Sequence, residues 1–201
     1  MLPRLRGLPA AAPTVTGWDG APLPDGVTAR LAREWTRLRA TQRDLRALRA
    51  ERRRLLASAD AAADPTLRMV ERLLALRGIG EVSAWLYTTE FFGWRAFRNR
   101  RQVAGLAGLT PTTRASGDTE REQGISKAGS ARIRALAIEL AWSWVRRQPA
   151  SALTRWYRAR CAAGGARQRR IGIVAVARKL LVALWRYLED GVLPEGAVLK
   201  A

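Results

Sequence analysis

The sequence predicts an all-α chain: a long amphipathic, coiled-coil-like N-terminal helix followed by a compact helical domain that contains a helix-hairpin-helix turn. Three observations carry that prediction. Apolar residues recur at steps of three and four through most of the chain. Capping residues and prolines stand at the ends of those stretches. No stretch shows the strict apolar/polar alternation of a half-buried strand, and there is no internal repeat.

Residues 1–27 hold five prolines and four glycines and predict an irregular lead-in. Residues 28–64 form the expected arm. From Thr28 to Ala57 the apolar positions are Leu31, Trp35, Leu38, Leu45, Leu48 and Leu55, with Arg and Glu between them and no Gly or Pro. Their narrow seam suits a helical partner, and a helix folded back on its own domain satisfies the same pattern. Arg39, Arg43, Arg46, Arg49 and Arg52–Arg54 give the arm a basic outer face.

Residues 65–190 form the expected domain, with 191–201 as a tail. Asp64 before Pro65 caps a helix with Leu67, Val70, Leu73 and Leu74 on its apolar face, ending at Gly78. Helical pattern resumes after the Gly-Ile-Gly turn through Val82, Trp85 and Leu86. Residues 99–108 read as a short helix closed by Pro111. Residues 109–130 are polar, and turn chemistry is expected there. Ser130 caps a helix to about Gln148, stopped by Pro149, with Ile133, Leu136, Ala137, Leu140, Ala141 and Trp144 as its buried stripe. A shorter helix carries Leu153, Trp156 and Tyr157. The last, from about Arg169 to Asp190, is apolar on two sides and should sit centrally.

Charge and composition narrow the chemistry. The 201 residues carry 36 Lys and Arg against 17 Asp and Glu, a net charge of +19, and only Lys127, Lys179 and Lys200 are lysines. Such an excess calls for a polyanion, and nucleic acid is the commonest one; Arg-heavy usage at the expense of Lys also fits a GC-rich genome. Histidine is absent and Cys161 is the lone cysteine. That removes Ser-His-Asp triads, imidazole acid-base catalysis, disulfide frameworks and His- or Cys-ligated zinc. Arg interrupts every apolar stretch, so no membrane span is expected. The first residues lack a signal-peptide core, and a bacterial cytoplasmic location is expected. The carboxylates are scattered, and no metal ligand is assigned.

Two motifs could carry chemistry. In LRGIGEVSAW, Gly78 and Gly80 are expected to let the backbone turn tightly, so that the amides opening the next helix could hold a DNA phosphate; a plain turn between packed helices explains the same residues. The second is the loop around Ser116, where Arg114, Arg121, Lys127, Arg132 and Arg134 lie nearby in sequence. Guanidinium groups could neutralise a phosphodiester and favour an ionised serine oxygen, a mechanism that requires no histidine. Taken alone, a Ser-Gly in a polar stretch is ordinary turn chemistry, and only the surrounding cations point to the nucleophile.

Residues 76–142 resemble, feature by feature, the C-terminal transposase domain of insertion-sequence families 110, 116 and 902. Gly-Ile-Gly is followed by a small residue, by F-R-N-R-R-Q-V-A-G-L-A-G-L-T-P (97–111), by a Ser-Gly loop and by GISKAG (124–129) before a helix bearing Arg134. Looser similarity extends over about residues 18 to 190. The resemblance implies that Ser116, beside Gly117, is the nucleophile that becomes joined to DNA. It also implies DNA as partner, a structured non-coding guide RNA, and homo-oligomers assembled through the long helix. Members of that family begin with an RNase H-like domain holding an acidic metal site. Mg is implied for that domain only, so no cofactor is expected on these residues. The chain is expected to lack half of the composite site, to bind nucleic acid, and not to recombine alone.

The competing expectation is a non-catalytic helix-hairpin-helix nucleic-acid-binding protein; a third is a basic RNA- or membrane-surface helix formed by residues 28–57. Trp94, in the Phe-Phe-Gly-Trp-Arg corner, is the tryptophan expected to stay exposed, and Trp144 and Trp185 are expected in the core.

Overall fold

The structure is a computed structural model that describes residues 9, 11–58, 62–116 and 119–200, with the backbone alone for residues 113–123. The chain is all-α. Among the described residues there are seven α-helices, two short π-helical segments and one two-stranded hairpin.

Residues 1–58 make one unit. It consists of a short lead-in, turned at Gly20 (φ +78°), and the 33-residue helix α1 (Asp25–Ala57), which begins slightly earlier than expected and buries none of its residues. Leu31, Leu38, Leu45, Leu48 and Leu55 are all exposed along it.

Residues 59–201 make the second unit. Helix α2 (Pro65–Ala75) starts where Asp64 Oδ1 accepts hydrogen bonds from the amides of Thr66 (2.7 Å) and Leu67 (3.3 Å), with Pro65 at the position that needs no amide. Leu67, Val70 and Leu73 are its buried stripe. The Gly-Ile-Gly turn leads into α3 (Glu81–Tyr87), which widens into a π-helical turn at Thr88–Phe92. There Tyr87, Phe91, Phe92 and Phe97 stack edge-to-face or tilted around one another. Asn99 caps α4 (Arg100–Leu106) through the amides of Arg101 and Gln102.

Helix α5 (Ala131–Arg147) is capped by Ser130, whose Oγ accepts from the Ile133 amide at 3.3 Å. It buries Ile133, Ala137, Leu140, Ala141 and Trp144, while Leu136 is half-buried. Helix α6 (Ala152–Tyr157) runs into a second π-helical turn, Arg158–Ala162. Helix α7 (Ala166–Asp190) starts three residues before the expected position and buries nine residues. It packs against α2, α4, α5 and α6 and is the centre of the core. Fully burying aliphatic side chains such as Leu180, Leu181 and Leu184 stabilises by about 1.5–3 kcal/mol each. Trp144 is fully buried as expected; Trp185 is half-buried.

Two expectations are corrected. Residues 111–125, read as a loop, form an antiparallel hairpin of β1 (Pro111–Ser116) and β2 (Thr119–Ile125). Apart from Pro111, Ala115, Gly124 and Ile125 its strands are polar, so no period-two apolar signal marks it. The tail after Asp190 is part of the domain: Leu199 bridges Leu76, and the Arg77 amide donates to the Val198 carbonyl at 3.1 Å.

Candidate nucleic-acid interface

The segment expected to carry chemistry rises from a locked base. The chain before the hairpin (106–110) and the chain after it (126–130) are laced together by backbone hydrogen bonds. Ser126 N donates to Thr110 O (2.8 Å), Lys127 N to Gly108 O (3.1 Å) and Ser130 N to Leu106 O (3.0 Å). Gly108 takes φ +64°, and a side chain on Gly129 would overlap the Leu106 carbonyl, so the two strands of chain can meet only as glycines. Lys127 is the one non-glycine with positive φ (56°) among the described residues. That conformation costs about 1–2 kcal/mol, and the surrounding contacts hold it. Gly108 is a residue that sequence reasoning missed; its only signal is its place just past the end of α4.

Arg134 supplies much of that hold. Its Nη1 donates to the carbonyls of Lys127 (3.2 Å), Gly129 (3.4 Å) and Ala107 (3.5 Å). Arg134 was expected among the phosphate contacts; here it clamps the turn that starts α5. Arg132 lies two residues earlier on the helix, exposed, with Nη1 2.8 Å from Glu90 Oε1. The Lys127 side chain is exposed.

Above this base, register fixes the faces of the ribbon. Ser116 pairs Thr119, Arg114 pairs Arg121, Ala115 pairs Glu120 and Thr113 pairs Glu122. Directly opposed residues share a face and successive residues alternate. Ser116, Arg114 and Arg121 therefore occupy positions on one face, and Glu120 and Glu122 positions on the other. The extra residue of a bulge falls on β2 near Gly124 (φ +85°), between the Pro111–Ile125 and Thr113–Glu122 pairs. Ser116 closes β1 at the tip. Gly117 lies outside the described residues, as do the side chains of Arg114, Ser116 and Arg121.

The Gly-Ile-Gly turn divides its two glycines. Gly78 has φ +97° and lies against Arg147, so the turn requires it. Gly80 was expected to be required as well, but its backbone is extended (φ −97°, ψ 170°), and an added Cβ would meet nothing within 4 Å. It leaves open space before α3. Glu81 stands in the first turn of that helix, where its charge competes with any anion. The turn is fixed from behind: Ser143 Oγ donates to Gly78 O (2.9 Å) and Lys200 Nζ to Ile79 O (2.8 Å).

Trp94 is 63% exposed, with the Arg95 guanidinium 3.9 Å above its ring. Among the described residues no three His, Cys, Asp or Glu side chains gather into a metal-binding set. Among the described residues the donors needed for Mg are not assembled, and no step is assigned to a metal. No helix among the described residues is long and apolar enough to cross a membrane.

Comparison with known proteins bears on the same segment. Residues 70–157 match the family described as Transposase IS116/IS110/IS902. The chain is 44% identical over 187 residues to y4rJ of Sinorhizobium fredii, a protein named as a transposase; the match takes in 90% of this chain and 47% of that protein. A protein of Pseudomonas aeruginosa named as a family 20 transposase is 33% identical over 180 residues, 87% of this chain and 49% of its own. A second Sinorhizobium fredii protein, y4qE, is 40% identical over 72 residues, 36% of this chain and 18% of its own. The chain spans about half the length of the first and less than a fifth of the last.

Proposed function

On the premise that residues 70–157 are the domain of the transposase IS116/IS110/IS902 family, we propose that this chain serves DNA transposition by presenting Ser116 as a nucleophile to a DNA strand. The observation that carries the reading is the hairpin register. It puts Ser116 on the same ribbon face as Arg114 and Arg121, opposite the face of Glu120 and Glu122. Two cationic positions beside a hydroxyl position favour approach of a phosphodiester and of the charge that develops at its phosphorus.

In the proposed step the serine Oγ forms a bond to phosphorus and the bond from phosphorus to one bridging deoxyribose oxygen breaks. The serine proton passes to that leaving oxygen. The phosphodiester count is unchanged, so the reverse step rejoins a strand without ATP. Gly108, Gly129 and Arg134 act as positioning residues for the hairpin. The partners proposed with this reading are DNA, a structured guide RNA, and a second copy of the chain through the α1 seam. Mg2+ is proposed only for acidic groups other than those described here, and cytoplasmic action in a bacterium is proposed with the rest.

The test offers the purified chain a nicked suicide DNA substrate, with and without an RNase H-like acidic domain supplied in trans. A covalent protein–DNA adduct is expected only with the added domain, and it should vanish in Ser116→Ala. No adduct under either condition overturns the nucleophile assignment.

A second reading, non-catalytic phosphate binding by the helix-hairpin-helix turn, draws support from the open space at Gly80. It predicts DNA binding that survives Ser116→Ala with no adduct from any substrate.

A further inference from the structure

Beneath the hairpin lies a feature that the strand-transfer reading leaves unused. α4, the hairpin base, α6 and α7 enclose an open cavity of about 810 Å3. Its floor is apolar, with Leu153, Val174 and Ile171, and Ile171, which closes the exposed first turns of α7, is 61% exposed. Its rim is cationic: Arg100 and Arg101 at the start of α4, Arg178 and Lys179 on α7. Among the described residues that line it, none is Asp or Glu.

The surrounding chain carries the same bias. Between Leu140 and Leu188 the sequence has eleven Arg and Lys residues and no Asp or Glu. Beside the rim, Lys179 Nζ sits 3.8 Å and the Arg160 guanidinium 5.8 Å from the centre of the Trp156 ring, which holds both cations at the surface. A field of one sign over a concave surface concentrates a polyanion there.

The apolar floor decides which polyanion. A duplex keeps its base faces stacked inside and presents phosphates and groove edges, so it has nothing to place on Leu153 and Ile171. An unpaired nucleotide offers both halves: a base face for the floor and flanking phosphates for the rim. The cavity also adjoins the proposed chemistry. Pro111 and Ile125, the first register pair of the hairpin, line its edge. Ser116 lies five residues further along β1, about 17 Å away at the strand rise of about 3.4 Å.

We infer that this cavity receives an unpaired DNA nucleotide next to the strand end released at Ser116, with its phosphates on Arg100, Arg101, Arg178 and Lys179. The choice of DNA rests on the strand-transfer reading, in which cleavage leaves an unpaired end. The cavity's fit to an unpaired base does not.

The test measures equilibrium binding of the full chain to a labelled DNA single strand, to the duplex of the same sequence and to the matching RNA single strand, none carrying a nick. Ala175→Phe, on the cavity wall, fills the space without changing charge; Arg178→Gln/Lys179→Gln removes half of the rim. Ala175→Phe is expected to weaken single-strand binding by about tenfold, as keeping roughly 50 Å2 of a base face off an apolar wall does at about 25 cal/mol per Å2, and to leave duplex binding nearly unchanged. The double variant should lower the salt slope of single-strand binding by about 1.4, from two phosphate contacts at about 0.7 each. Its melting curve, with that of Ala175→Phe, separates lost binding from lost folding. Equal losses for strand and duplex, or no loss in either variant, overturn the inference. Clearly tighter binding of RNA than of DNA assigns the cavity to RNA and overturns the DNA occupant. No strand is cut in this assay, so a missing Ser116 adduct leaves the cavity intact as a site, and an unaffected cavity variant leaves the nucleophile reading intact.

Discussion

Gln148 binds Val198 as a neighbouring β-strand would: its Nε2 donates to the Val198 carbonyl and its Oε1 accepts from the Val198 amide, both at 2.8 Å. The same Nε2 donates to Arg77 O at 2.7 Å, so one fully buried side chain ties the tail to the Gly-Ile-Gly turn. Gln148→Leu fits the volume but takes the partner from the Val198 amide and the Arg77 carbonyl, at about 1–3 kcal/mol of stability for each group left buried, while the Val198 carbonyl keeps the Arg77 amide. Gln148→Glu should be worse, because a carboxylate then faces two carbonyls. Thermal unfolding of the two variants checks the order.

Gly129→Ala and Gly80→Ala should differ sharply. The first drives a methyl into the Leu106 carbonyl and should cost several kcal/mol or prevent folding. The second adds a methyl in open space at extended φ and should change stability by less than about 1 kcal/mol. DNA binding of Gly80→Ala is then informative: a stable variant that binds weakly supports phosphate contact at the turn, and unchanged binding counts against it. Arg134→Ala should lower the melting temperature, since three carbonyls lose a shared donor.

Tyr87→Phe should be neutral or stabilising by roughly 1 kcal/mol at neutral pH, because the Tyr87 hydroxyl is buried with no hydrogen-bond partner. Burial, with the Glu139 charge adding to it, raises the Tyr87 phenol above its ordinary 10.0. The folded state therefore keeps a proton that the unfolded chain releases near pH 10, and stability falls as pH rises from there. Tyr87→Phe removes that drop and should move alkaline unfolding, followed by circular dichroism, to higher pH. Tyr157 is raised in the same direction by burial, with Cys161 adding and Arg169 opposing, so the shift should be partial.

Leu38→Glu/Leu45→Glu puts charge into the exposed seam of α1, where the two leucines stand seven residues apart. If the seam pairs with a second copy, sedimentation should show an oligomer for the natural chain and a monomer for the variant. A natural chain that sediments as a monomer rejects the proposed homo-oligomer.

The helices were legible because their signals are local. Asp64 and Ser130 cap where the residue pattern says a helix begins, and Pro149 follows the end of α5. The stripe Ile133, Ala137, Leu140, Ala141 and Trp144 is buried because its spacing brings it to one face. Trp94 stays exposed at a corner with no apolar period around it. The hairpin was not legible, since neither of its faces carries an apolar alternation for a sequence reading to detect. Nor was the clamp made by Arg134, because an arginine on a helix reads as solvated charge until its distant carbonyls are known.

By itself, then, the sequence determined the helical class, the helix ends, the absence of imidazole and of disulfides within the chain, and a net charge of +19, all of which depend on composition or on residues within a few positions. Tertiary structure alone decided the rest. Strand pairing set which of Arg114, Ser116, Arg121, Glu120 and Glu122 share a face. Close approach of Gly108 and Gly129 set where the hairpin stands, and packing of α4 and α6 on α7 opened the cationic cavity beside it. Those outcomes come from contacts between residues far apart in the chain, whose partners no local pattern specifies.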